Sequence, residues 1–78
     1  MPTVLRSGGF RLFFYSNEGS PREPTHVHVE PASGEAKLWL RPEVSVAYND
    51  GLNARDLATA MRLANRETIE TAWRDFFG

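Results

Sequence analysis

The sequence predicts an α+β fold: a small antiparallel sheet of three to four strands followed by two C-terminal helices packed on one face. Three observations predict it. Up to about Tyr48, apolar residues tend to alternate with polar ones. From Asn53 onward they recur at spacings of three and four. Between the two regimes lies Asn49-Asp50-Gly51, a strong turn signal. A chain of 78 residues makes a single domain, 1–78, with a β-rich half over 1–50 and a helical half over 51–78.

The elements follow in order. Met1 to Ser7 reads either as a frayed end or as an added edge strand through Val4 and Leu5. After Gly8-Gly9, the run Phe10 to Tyr15 is the first strand, with Phe10, Leu12 and Phe14 on one face and Arg11, Phe13 and Tyr15 on the other. Ser16 to Pro24 is rich in turn formers and reads as a surface loop. Thr25 to Glu30 is the second strand, closed by the turn Pro31-Ala32-Ser33-Gly34. Glu35 to Leu40 alternates again, with Ala36, Leu38 and Leu40 inward and Glu35, Lys37 and Trp39 outward. Val44, Val46 and Tyr48 mark a fourth strand, and Gly51 serves a turn that needs positive φ. Tyr48 and Asn49 are placed to hold that turn by hydrogen bonds.

Asn53 is a good N-cap, with Asp56 at the third helical position. Leu57, Met61 and Ala64 form one apolar stripe, and Ile69, Trp73 and Phe76 form another. At about 100° per residue the second is displaced by roughly a third of a turn from the first. Two helices meeting at Asn65-Arg66, with Asn65 capping the second, account for this. Arg62, Arg66, Glu70 and Arg74 read as a solvated face.

A domain this small buries only about 60% of the surface its unfolded chain exposes, so its core needs large side chains. Packing Trp73, Phe76 and Phe77 against Phe10, Leu12, Val27 and Leu38 supplies one. The chain has no cysteine, which excludes disulfides and thiolate zinc sites. It has no apolar run resembling a signal peptide or long enough to cross a bilayer. A cytoplasmic protein without a membrane association is the expectation. The formal net charge is −1, without the basic excess of proteins that grip nucleic acid through its phosphates.

The chemistry concentrates in Pro24-Thr25-His26-Val27-His28-Val29-Glu30, which holds both histidines. Alternation sends Val27 and Val29 to the core and lines up His26, His28 and Glu30 on an accessible second face. Arg11, Phe13, Tyr15, Lys37 and Trp39 share that face. Three uses suit it. The first is binding: Tyr, Trp and Arg are enriched at interface hot spots, and an aromatic patch on so small a domain calls for a cover, either a small cognate protein or a second copy. The contact residues would be Arg11, Tyr15, Arg22, Lys37 and Trp39. The second is metal-independent acid–base catalysis by His26, His28 and Glu18, with Arg11 or Arg22 steadying a phosphate and Tyr15 and Trp39 stacking on an RNA base. The third is a metal site on His26 and His28, with Glu18 or Glu30 as third ligand, a set that suits zinc or iron. The sequence implies no cofactor, and it leaves open whether the protein is an enzyme.

Gly9-Phe10-Arg11, Phe14-Tyr15-Ser16-Asn17-Glu18, Pro24 to Val29, Ala36 to Leu40 and the closing Ala72-Trp73-Arg74-Asp75-Phe76-Phe77-Gly78 together resemble a small bacterial family, the domain-of-unknown-function 4160 family. The resemblance spans nearly the whole chain. Members commonly look like one half of a two-gene cassette of the toxin–antitoxin kind. It therefore implies a small partner protein and an RNA-directed role. It carries over no catalytic residue.

Overall fold

A computed structural model describes residues 3–15, 24–31 and 34–77. The order is β1 (Thr3–Ser7), β2 (Phe10–Phe13), β3 (His26–Glu30), β4 (Glu35–Trp39), β5 (Ser45–Asp50), α1 (Ala54–Leu63) and α2 (Arg66–Phe77). The strands form one antiparallel sheet in the order β1-β2-β3-β4-β5. The sheet thus has five strands rather than three or four. The additional one is β1, which joins β2 through the two-residue turn Gly8-Gly9. Their φ values of 56° and 84° put both glycines in the positive-φ region that a tight two-residue hairpin turn requires.

The apolar face packs as the alternation requires. Leu12, Phe14, Val27, Val29, Ala36, Leu38 and Leu40 from the sheet half of the chain meet Leu52, Ala60, Ala64 and Ile69, with Leu57, Met61, Trp73 and Phe77 partly buried around them. Phe76 departs from the expected core and is 44% exposed, although it still stacks on Phe14. Both helix starts are capped as their sequences require. The side chain of Asn53 accepts from the Asp56 amide at 2.8 Å, and that of Asn65 from the Thr68 amide at 3.1 Å. Among the described residues no helix is long and apolar enough to cross a membrane.

Three local features differ from the sequence expectation. Glu70 is no solvated residue of a helix face. Arg41, just beyond β4, grips its carboxylate with Nε at 2.6 Å and a second guanidinium nitrogen at 2.8 Å, and Arg66 adds a contact at 3.3 Å. The hydrogen bond from Arg41, more than the opposing effect of burial, holds the Glu70 carboxyl below its ordinary value. Second, β5 contains a register shift. Leu38 pairs with Val46 but Lys37 pairs with Tyr48, so Ala47 has no opposite number. Tyr48 is thereby turned to the face of Lys37, away from Val46. Third, Asn49 holds the turn after β5, exchanging hydrogen bonds with Leu52 at 2.9 and 3.0 Å. The Tyr48 hydroxyl donates to Glu35.

Gly34 is dictated by space. A Cβ there would lie 2.5 Å from the Asp50 carbonyl oxygen and 3.1 Å from the Gly51 carbonyl carbon. Neither backbone atom can yield as a side chain would. Gly34→Ala should cost about 1–3 kcal/mol by forcing the end of β4 away from β5. A thermal melt checks this, and an unchanged midpoint would refute the close approach.

Candidate functional site

The cross-strand register assembles the second face of the sheet. Phe13 on β2 lies opposite His28 on β3, which lies opposite Lys37 on β4, which lies opposite Tyr48 on β5. Partners in a ladder point to the same side. His26 and Trp39 form a second such pair. The alternation is therefore as expected, with Val27 and Val29 in the core and both histidines opposite.

Their accessibility is not. His26 is 0% exposed and His28 only 2%. Alternation decides which side a residue takes, whereas depth depends on the bulk around it, and here that bulk is aromatic. The His26 ring has Trp39, Trp73 and His28 at centroid distances of 5.5, 5.0 and 5.4 Å. The His28 ring has Tyr15 at 4.5 Å, Phe13 at 5.5 Å and Tyr48 at 6.3 Å. Phe13 is fully buried on this side of the sheet. The expected accessible row is a second, aromatic layer.

The polar centre of this layer is Glu35, at the start of β4. It lies diagonal to His28, two residues from the directly opposite Lys37. Its Oε1 accepts from the Tyr15 hydroxyl at 2.9 Å, and its Oε2 accepts from the Tyr48 hydroxyl at 2.6 Å. His28 Nδ1 stands 3.3 Å from the same Oε2 and 3.4 Å from the Tyr48 oxygen. Burial alone raises the Glu35 carboxyl. The hydrogen bonds from Tyr48 and Tyr15, together with the charge and hydrogen bond of His28, outweigh it and hold the group below its ordinary value of 4.5. Neither Glu35 nor Tyr48 stood out as a site residue in the sequence. Glu35 is found only once the register of β3 and β4 is known, and Tyr48 only once the bulge at Ala47 is.

The remaining site residues are dispersed. Arg11 lies over the Phe13 ring at 4.2 Å, donates to the Thr3 hydroxyl at 3.1 Å and pairs with Glu30 at 3.6 Å. Lys37 lies over the Trp39 ring at 4.5 Å. His26 Nδ1 is 3.0 Å from the Pro24 carbonyl oxygen. Glu18 and Arg22 fall outside the described residues.

The family model described as Domain of unknown function (DUF4160) matches residues 9–74. The chain belongs to the DUF4160 family. No curated protein and no solved structure matches it. The matched span of this DUF4160 chain includes β2 to β5, α1 and most of α2, and with them the whole Tyr15–His28–Glu35–Tyr48 cluster.

For the DUF4160 chain, the cluster has two chemical aspects. A carboxylate beside His28 Nδ1 fixes the ring's orientation, as a general base requires. Yet the ring is enclosed, only 2% exposed. Among the described residues no group of three or more His, Cys, Asp or Glu side chains is disposed to hold an ion. Glu30, one of the two expected third ligands, is turned to Arg11 instead.

Proposed function

We propose that this chain is an interaction domain that pairs with a small cognate protein, in a cassette of the toxin–antitoxin kind. The cassette rests on the family resemblance. The observation that carries the interaction reading is a contrast in accessibility. Both histidine rings are enclosed, while apolar surface lies open in a groove between β1 and α2.

The groove consists of two adjoining hollows of about 320 and 360 Å³. Val4, Phe14, Ala72 and Phe76 supply its apolar lining, and Phe76 is the most exposed large hydrophobic residue there. The charged residues lining it, Glu67 and Asp75, are both acidic. β1 is an edge strand, and no described strand pairs with its outer side. An unpaired edge beside an apolar, acid-rimmed groove suits an extended segment that adds a strand and carries alternating apolar and basic side chains. The partner is thus a small protein offering such a segment.

The test is co-purification with the product of the adjacent small gene, then calorimetric titration of the purified pair. Phe76→Glu should weaken binding by at least about tenfold, because an acid enters an already acidic groove. Val46→Glu, on the far edge, should leave it unchanged. Circular dichroism must show both variants folded. Equal affinity for wild type and Phe76→Glu, no complex at all, or a homodimer seated on the groove would each overturn the proposal.

The catalytic alternative, an endoribonuclease-like toxin using the His26/His28 face, draws support from the Glu35–His28 contact of 3.3 Å. If it holds, His28→Gln in a folded protein abolishes growth arrest without weakening the complex. Retained growth arrest would exclude it.

A further inference from the structure

The β1–β2 hairpin carries an arrangement that neither the core nor the groove explains. Arg6 on β1 lies directly opposite Arg11 on β2. Arg11 lies directly opposite Glu30 on β3. The row across three strands therefore reads Arg, Arg, Glu and holds one more positive than negative charge. Like charges directly opposite on one face destabilise a hairpin. Arg6 is exposed and makes no hydrogen bond or ion pair with any described residue.

Arg11, by contrast, is held in place. Its guanidinium lies over the Phe13 ring, Nε is tied to Thr3, and one terminal nitrogen faces Glu30. The other terminal nitrogen makes no hydrogen bond to a described residue. Beside the two arginines is a hollow of about 440 Å³, lined by Arg6 to Arg11, Glu30 and Pro31. The Gly8-Gly9 turn is part of that lining, and nothing lies within 4 Å of the positions a Cβ would take there. A ligand can therefore approach the turn backbone unobstructed.

We propose that this hollow binds a phosphate group, gripped between Arg6 and Arg11. Directly opposite residues on an antiparallel pair have Cα atoms only about 4.5–5.5 Å apart, so both guanidinium groups reach one tetrahedral oxyanion. Guanidinium forks match phosphate oxygens in pairs, which a single lysine cannot do. The dianion relieves the Arg6–Arg11 repulsion. The Glu30 carboxylate on the wall limits affinity and disfavours a crowd of negative charges. One phosphate suits the site better than a polyphosphate. Thr3 acts on the ligand only through Arg11 and is a positioning residue.

The test is a heteronuclear NMR titration of the full-length protein with inorganic phosphate, and separately with adenosine monophosphate, at constant ionic strength. Saturable shifts at Gly8, Gly9 and the arginine Nε–H groups of Arg6 and Arg11 are expected. Tighter binding of the nucleotide would identify an esterified phosphate as the ligand, and equal binding a free one. Arg6→Gln, at an exposed position, should weaken binding by about tenfold or more, and Arg11→Lys should weaken it although the charge is kept. Phe76→Glu should leave it unchanged, which separates this site from the groove. Non-saturable shifts equal to those produced by chloride, or unchanged affinity in Arg6→Gln, would overturn the proposal.

Discussion

Phe14→Ala should remove a large share of the stability of the domain. Phe14 is 1% exposed and is where the sheet meets α2, with Trp73, Phe77 and Phe76 at ring distances of 5.2, 5.7 and 6.3 Å. Removing a buried phenylalanine costs about 3–5 kcal/mol, through lost transfer energy and the cavity left behind. A domain of 78 residues has only about 4–12 kcal/mol in total at the usual stability per residue. The melting temperature should fall by about 15–30 °C. Phe76→Ala is the control. Its ring touches Phe14 but is largely in solvent, so it should cost about 1 kcal/mol or less. If the two variants melt together, Phe14 is not the joint between the two halves of the fold.

The second large effect is expected at Glu35. One carboxylate accepts from two tyrosine hydroxyls and faces His28. The two hydroxyls use different carboxylate oxygens, and in Glu35→Gln one of these becomes an NH2 group, so one tyrosine loses its acceptor in this geometry. The expected cost at neutral pH is about 1–3 kcal/mol, in the range for hydrogen bonds to a charged group. The dependence on pH follows from the depressed carboxyl. Its folded-state pKa lies below its unfolded value, so its stabilisation is fully present above that unfolded value. It is lost as pH falls through the folded one. The stability gap between wild type and Glu35→Gln should therefore narrow as pH drops below about 4.5. Glu70 titrates in the same direction but is common to both proteins, so the difference isolates Glu35. Urea denaturation across pH 3–7 measures it. A gap that is absent at pH 7, or that widens on acidification, would contradict the geometry. Tyr48→Phe combined with Glu35→Gln should show coupling of about 0.5–3 kcal/mol.

Much of this fold was legible in the sequence because period and capping are local properties. Alternation fixed the sides of Leu12, Val27, Val29, Ala36 and Leu38, and the asparagines at 53 and 65 marked both helix starts. β1 was ambiguous because Val4 and Leu5 are its only apolar residues, and its partner is chosen by the Gly8-Gly9 turn. Depth was the main failure. His26 and His28 lie on the expected side but are enclosed, since Tyr15, Trp39, Tyr48 and Trp73 are brought around them by tertiary packing. Register is likewise non-local. It brings Glu35 to His28, and no spacing within either strand announces it. Glu70 illustrates the same point, because its partner Arg41 is 29 positions away.

The unpaired Ala47 has a genetic consequence. Loss of that single codon would leave Val46 opposite Leu38 and Tyr48 opposite Lys37, now as consecutive rungs of a regular ladder. Tyr48 would keep its side of the sheet, and Asn49 its partner across β4. Loss of a paired residue from the facing strand, such as Lys37, would instead turn every side chain on one side of the gap to the other face. The Glu35 cluster should therefore survive in-frame deletion of Ala47 far better than deletion of Lys37.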